Sequence, residues 1–599
     1  MQEKKRHPAG LWVLFTTEMW ERFAFYSMRA ILVLYLVSVS TNEYTPGFGW
    51  SEADAYRLYG FYTGLVYLVP LFGGWVADRF LGQYRCVMLG GMLMALGEFF
   101  LAATEFVRIG IGVPVTMQAD PLALWIFYIG LALMILGNGF FKPCISVMVG
   151  QLYKPDEPLR RDAAFSIFYM GINIGAFFSP LIAGTVAEKY GYHLGFIIAG
   201  FGMLFGVLSF SIFRKHYLKG VGMPPKPHKA DAALTPEETE AHQNAEYERT
   251  RPLVKQDWDR MFVILTLSIF VIAFWVSFEQ AGSSLNTFAK SKTNRTISPN
   301  IVEKTPKSIA SSLYLKDEVI ISLKAAIKRT ASLEEQETHG NAPEQIETFG
   351  DRLERLFSFR SEKDDTPAEE RVPEMLREVD AMNERLADST NEDIQNALTE
   401  LNRIRKEVDE QFVPGKTAFT FPATWYQSVN AFGIVIFAPI FTMIWFFLAR
   451  RGIEPSTPMK FAIGLLLLSV GFFLMIPGAI ESFKTNGKAG AHWLIWCYLF
   501  STWGELCLSP VGLSMVTKLA PARYASMFMG IWFLASSAAY FLAGELAALF
   551  GSGEGVTILF GKEAGLADFF LLMGTIPAVI GCVALCLVPV LKRRMHGIN

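Results

Sequence analysis

Twelve stretches of this chain are apolar over roughly the 20 residues a helix needs to cross ~30 Å of hydrocarbon. They lie near residues 11–38, 56–77, 86–106, 121–150, 161–186, 191–213, 259–287, 422–449, 459–481, 491–517, 523–550 and 567–591. In lipid the backbone N–H and C=O groups find no water, so each run must satisfy them internally as a helix. The expected fold class is therefore an all-α membrane protein. Composition agrees: 52% of residues are hydrophobic and 18% charged, and the charges gather between the runs. The first run is expected to stay in the mature protein, because it is too long for a signal sequence and carries Glu18, Glu21, Arg22 and Arg29. The six cysteines fall within or at the ends of spans, in no disulfide or zinc spacing, so no metal is expected. A net charge of −2 carries no signature of a nucleic-acid partner.

Loop charges orient the helices, since Lys and Arg are enriched on the cytoplasmic side. Lys4, Lys5 and Arg6, then Arg79 and Arg85, Lys154, Arg160 and Arg161, Arg450 and Arg451, and Lys592, Arg593 and Arg594 all fall on one side. Both termini are therefore expected in the cytoplasm, with the protein in the cell's inner membrane. The organisation that follows is a six-helix bundle over 1–215, a polar cytoplasmic linker over 216–258, a seventh helix over 259–289, an external insertion over 290–420, and the remaining five helices over 421–599. The insertion is too long for an ordinary loop. Within it Met375, Val379, Met382 and Leu386, then Leu398, Leu401, Ile404 and Val408, recur at helical spacing, which predicts a small helical hairpin.

Charges inside spans demand an explanation, because one near the bilayer centre costs at least ~3 kcal/mol. Glu18, Glu21, Arg22 and Arg29 stack along one side of a helix, a stripe that must face protein or a cavity. A network that only staples helices together is the competing explanation, but buried ion pairs are weak stabilisers. Lys142 stands in Gly137-Asn-Gly-Phe-Phe-Lys142-Pro143 and needs an acidic partner. Glu279 and Glu505 are the candidates in the second half. A pair formed across the halves can close one gate and open when a proton or a carboxylate ligand competes for it, as in alternating-access carriers.

Tyr26, Tyr67, Tyr169, Trp275 and Trp532 lie within spans and combine an apolar face with a polar tip, which suits an amphipathic ligand of peptide size. Asn173 and Asn430 offer donors and acceptors to a peptide backbone, or act as glue between helices. No phosphate-cradling loop is present, since Gly555 and Gly561-Lys562 miss the spacing and Glu563 stands where Ser or Thr is required. Motifs of metal or nucleophilic catalysis are likewise missing, so no enzyme and no cofactor is expected, and an ion gradient is left as the energy source. Carboxylates suit protons better than sodium.

These residues resemble the proton-dependent oligopeptide transporters (POT) of the major facilitator superfamily, across all twelve spans. Glu18-Met-Trp-Glu21-Arg22-Phe23-Ala-Phe25-Tyr26 is similar to the family's first-helix motif E-x-x-E-R-F-x-Y-Y, and Phe168-Tyr169-Met-Gly-Ile172-Asn173-Ile-Gly175 to its fifth-helix signature. Gly73 to Arg85 resembles the wider superfamily's loop between helices two and three. The resemblance implies the major facilitator fold, two six-helix bundles around a polar cavity, and proton-coupled import of di- and tripeptides by a monomer in the bilayer. It implies that Glu18, Glu21, Arg22, Lys142 and Glu279 couple protons, that Arg29 pairs with Glu279 at an external gate, and that Lys142 pairs with Glu505 at an internal one. It implies a substrate site of Tyr26, Arg29, Tyr67, Lys142, Tyr169, Asn173, Trp275, Asn430, Glu505, Ser509 and Trp532, with Glu505 near the peptide amine and Arg29 and Lys142 near its carboxylate. Phe25 departs from the motif by removing one hydroxyl. The insertion after helix seven departs from the mammalian pattern, and the polar linker lacks the two extra helices usual in bacterial relatives. A same-fold carrier of nitrate, amino acids or drugs, and a receptor acting through the insertion, are the alternatives.

Overall fold

The computed structural model of the protein describes residues 7–38, 47–111, 121–154, 157–224, 252–297, scattered positions from 323 to 334, 368–411 apart from 388 and 390, 419–484, 488–551 and 565–597. The first half contains α1 (Ala9–Val37), α2 (Glu52–Val76), α3 (Gln83–Ile111), α4 (Pro121–Gln151), α5 (Pro158–Ser179), the short α6 (Thr185–Tyr190) and α7 (Tyr192–Tyr217). The second half begins with α8 (Lys255–Phe278) and the short α9 (Ser284–Ser291). After the insertion it continues with α12 (Trp425–Arg450), α13 (Thr457–Lys484), α14 (Ala491–Leu519), α15 (Ala525–Gly551) and α16 (Gly565–Arg594).

Ten of these helical segments are long and apolar enough to cross a membrane. α1 and α14, 29 residues each, match them in length. The apolar run of α1 is broken by the four charges that define its inner face.

Each half packs its own core. In the first, Leu14, Met28, Ile31, Tyr35, Phe127, Phe141, Phe196 and Met203 cluster; in the second, Ile264, Leu267, Phe274, Phe461, Leu465, Phe472 and Met573 do so. The outward faces carry exposed Trp125, Phe201, Ile269, Met443 and Phe446, the expected surface where the surrounding solvent is lipid. Two separately packed halves can rock against each other without repacking either core.

The halves touch toward the end opposite the chain termini. There α2 crosses α15 so closely that a Cβ on Gly60 would stand 2.6 Å from the Gly544 Cα. Small residues let membrane helices approach in this way. Ser537 Oγ of α15 donates to the Gly64 carbonyl at 2.7 Å, and Ser428 Oγ of α12 donates to the Phe177 carbonyl at 2.9 Å. Tyr56 and Thr287 share a short hydroxyl contact nearby, and Asn286 Nδ2 donates to the Ala30 carbonyl at 2.9 Å.

Helical regularity breaks within several spans. α8 gives way to a 3-10 turn at Glu279–Gly282 before α9 resumes, and α5 gives way to a π-turn at Pro180–Gly184 before α6. The apolar runs 161–186 and 259–287 predict one uninterrupted helix each. Pro180 has no N–H to donate to the helical ladder, which accounts for the second break.

In the insertion, α10 (Ala368–Leu386) and α11 (Glu392–Gln411) pack Val379, Met382 and Leu386 with Leu398, Leu401, Ile404 and Val408. Asn383 and Asn402 exchange side-chain amide bonds of 2.8 Å across the pair. The insertion leaves and rejoins the bundle through a narrow neck. β2 (Thr296–Ile297) pairs antiparallel with β3 (Phe419–Thr420), while β1 (Thr293–Asn294) pairs in parallel with β4 (Ala489–Gly490).

Candidate functional site

The 3.6-residue period of α1 puts Glu18, Glu21 and Arg22 on one face, and the fold turns that face inward. They are 2%, 0% and 5% exposed. Arg22 Nε stands 2.8 Å from Glu18 Oε1 and 2.8 Å from Glu21 Oε2, while Asn138 Nδ2 of α4 donates to Glu21 Oε1 at 3.0 Å. One guanidinium therefore faces two carboxylates, leaving a negative charge that a proton or another cation must balance. Glu18 Oε2 and Asn138 Oδ1 are buried with no hydrogen-bond partner among the described residues. Such acceptors are costly to leave unmatched.

A column of aromatic rings runs from this cluster across the molecule. Lys142 Nζ sits 3.6 Å from the centroid of the Tyr67 ring, a cation–π contact that takes the place of an ion pair. Tyr67 stacks on Tyr540 at 4.3 Å with 18° between the planes, and Tyr540 lies nearly parallel to Trp275 at 6.3 Å. Because Tyr67 belongs to α2 and Tyr540 to α15, the column spans both halves.

Seven residues beyond Arg22, on the same face of α1, Arg29 Nη2 meets Glu279 Oε2 at 3.1 Å. Glu279 opens the 3-10 turn, so the break in the helix is what presents its carboxylate to α1. On the far wall, Asn430 Nδ2 donates to Thr502 Oγ1 and to Glu505 Oε2, both at 3.0 Å. Arg29, Tyr26, Asn430, Gln427, Tyr498 and Ser501 line one narrow cavity. Among the described residues no group of three or more His, Cys, Asp or Glu is placed to hold a metal ion.

Lys142 and Glu505 do not pair in this conformation: Lys142 rests on Tyr67 and Glu505 accepts from Asn430, because the halves meet at the opposite end and leave these two helices apart. Trp532 is 7% exposed and packs into the second core, edge-on to Phe461 and over Gly512, so it fills protein instead of lining the cavity. Asn173 is buried, with its Nδ2 donating to the Tyr169 carbonyl of its own helix at 2.9 Å. The side chain of Ser509 lies outside the described residues. Tyr169 is 41% exposed.

Asn138, Tyr540, Gln427 and Ser501 join the site although the sequence does not single them out. Asn138 carried a readable signal, a polar residue between two glycines in mid-span. The others sit among many similar residues in their helices, and only folding selects them.

Residues 84–242 and 409–562 match the POT family. Over 596 residues the chain is 32% identical to the uncharacterized transporter YclF of Bacillus subtilis strain 168, covering 99% of this chain and 96% of that protein. It is 31% identical to the di-/tripeptide transporter of Lactococcus lactis subsp. cremoris, covering 98% and 96% respectively. The crystal structure of peptide transporter POT in complex with sulfate superposes with a TM-score of 0.65 at 27% identity, over 99% of this chain and 96% of that one.

Proposed function

Since this chain belongs to the POT family, we propose that it carries di- and tripeptides across the membrane together with protons, by alternating access of one central cavity. It is a transporter with the major facilitator fold and not an enzyme. The observation that carries the substrate reading is the convergence of a cation, Arg29, and the acid-linked amide Asn430 on a single cavity, which suits the opposite ends of a zwitterion. We assign the peptide carboxylate to Arg29 and Lys142, the amine to Glu505 with Asn430, and the side chains to Tyr26, Tyr67, Tyr169 and Trp275.

In the mechanism we propose, the Arg29–Glu279 pair is the gate on the face opposite the termini, closed in this conformation. Lys142 and Glu505 are the gate on the other face, open here and paired when the halves rock the other way. The proton enters at Glu18, Glu21 and Arg22, where two carboxylates compete for one guanidinium. Binding it weakens the cluster's hold on nearby cations, including Lys142, and frees that ammonium for Glu505 or for substrate. Protons serve as the coupling ion, and we place both termini in the cytoplasm of a monomer in the inner membrane.

Uptake by proteoliposomes, with an imposed pH gradient and a peptide library, tests this directly. Accumulation of nitrate or free amino acids in place of peptides would overturn the substrate reading. Removing residues 298–418 while keeping the paired neck is expected to leave uptake in place, and its loss would favour a function seated in the insertion. Lys142→Ala is expected to abolish uptake while thermal unfolding stays near that of the parent, because the close contact the lysine makes among the described residues is with the Tyr67 ring. Normal uptake by that variant would remove Lys142 from the mechanism.

A further inference from the structure

Glu188 stands near the end of α6, outside the cavity chemistry described above, yet it is 4% exposed and fully engaged. Its Oε1 accepts the backbone N–H of Thr424 at 2.9 Å, and its Oε2 accepts Lys290 Nζ at 3.0 Å, with Arg295 Nη1 at 3.8 Å. Glu188 belongs to the first half, while Lys290, Arg295 and Thr424 all belong to the second. Thr424 is the N-cap of α12, so the acid also faces the positive end of that helix.

Backbone packing holds the two sides together at the same spot. A Cβ on Gly184 would stand 2.5 Å from Thr424 Oγ1, and Trp425 Nε1 donates to Thr185 Oγ1 at 2.8 Å. The neck of the insertion fixes the cations. Arg295 Nη1 donates to the Phe421 carbonyl at 2.7 Å, and the Phe421 N–H donates back to the Arg295 carbonyl at 3.2 Å, next to the β2–β3 pair. Lys290 is carried by α9, the segment that follows the same 3-10 turn that presents Glu279.

We infer that Glu188 is a second gate residue on the face opposite the termini, and that the insertion's neck is the structure it closes on. This rests on the alternating-access reading above. Any rocking that opens this face must pull one buried anion away from its cationic and backbone donors together, so the contact biases the transporter toward the conformation seen here. The broken helix α8–α9 then works as one arm with two contacts, Glu279 on Arg29 and Lys290 on Glu188. The insertion holds that arm at its base, which gives its neck a part in gating whatever its helices do.

The test begins with Thr185→Cys combined with Trp425→Cys, at the point where those side chains already meet across the halves, in a chain freed of its six native cysteines. A short bifunctional thiosulfonate is expected to cross-link the pair and reduce peptide uptake to background, and reductant is expected to restore it. Full uptake by the cross-linked protein, or no cross-link with that reagent, would overturn the inference. Uptake absent even after reduction, in a chain whose cysteine-free parent is also inactive, would count against peptide transport itself. A second variant needs no transport readout. Glu188→Gln is expected to raise labelling of an Ala431→Cys reporter by a membrane-impermeant maleimide in intact cells severalfold, because Ala431 lines the cavity that this face closes. Unchanged labelling in a variant that folds and unfolds like the parent would sink the gate role.

Discussion

Replacing Glu21 with glutamine is expected to abolish peptide accumulation against a gradient while leaving exchange of labelled for unlabelled peptide across the membrane. The amide keeps the shape of the side chain and can still meet Asn138, but it can neither lose nor gain a proton. Arg22 is then left with Glu18 as its only carboxylate. Each proton carried down a difference of one pH unit supplies about 1.4 kcal/mol, enough for about tenfold accumulation. The parent is expected to concentrate peptide on that scale or beyond, and the variant to stop at equal concentrations. Counterflow needs binding and rocking but no net proton movement, so its survival separates lost coupling from lost folding. A variant that still accumulates peptide would take the proton role away from Glu21.

Glu505→Ala is expected to have the next largest effect, on binding. In the assignment above, the Glu505 carboxylate meets the peptide's ammonium beside Asn430 in a site shielded from water. Removing one member of such a pair costs about 2–5 kcal/mol, which is roughly 30-fold or more in affinity. Peptides with a free amine should weaken by that amount, while N-acetylated peptides, which bring no positive charge, should change little. Competition of both kinds against one labelled substrate measures the difference. Equal losses for the two would contradict the amine assignment and leave Glu505 as a residue that only orders Asn430.

Much of this site is legible in the sequence because lipid makes charge conspicuous. Glu18, Glu21, Arg22 and Arg29 stand in an apolar run at helical spacing, and no soluble core was available to hide them. Their cost in hydrocarbon fixes the inner face of α1 before any neighbour is known. Trp532 shows the limit of such reasoning, since an aromatic ring in a membrane helix is equally at home in a cavity wall or a core, and here it packs on Phe461. Glu188 shows another. It stands near the end of a span, where a carboxylate costs little, and nothing local distinguishes it from a solvated acid until Lys290, Arg295 and Thr424 close around it.

What the sequence determined by itself is the set of membrane helices, their inward charged stripe and the kinship of the first-helix motif. Each of these follows from one-dimensional spacing, because in lipid a helix must satisfy its own backbone and segregate its own charge. The tertiary structure decided which partners those charges take. It placed Lys142 on the Tyr67 ring and Glu505 on Asn430, joined Arg29 to Glu279 through a break in α8, and brought the insertion's neck onto Glu188. Pairing between halves depends on how two rigid bundles are tilted against each other. That tilt has more than one stable setting in a carrier, so no spacing along the chain can specify it.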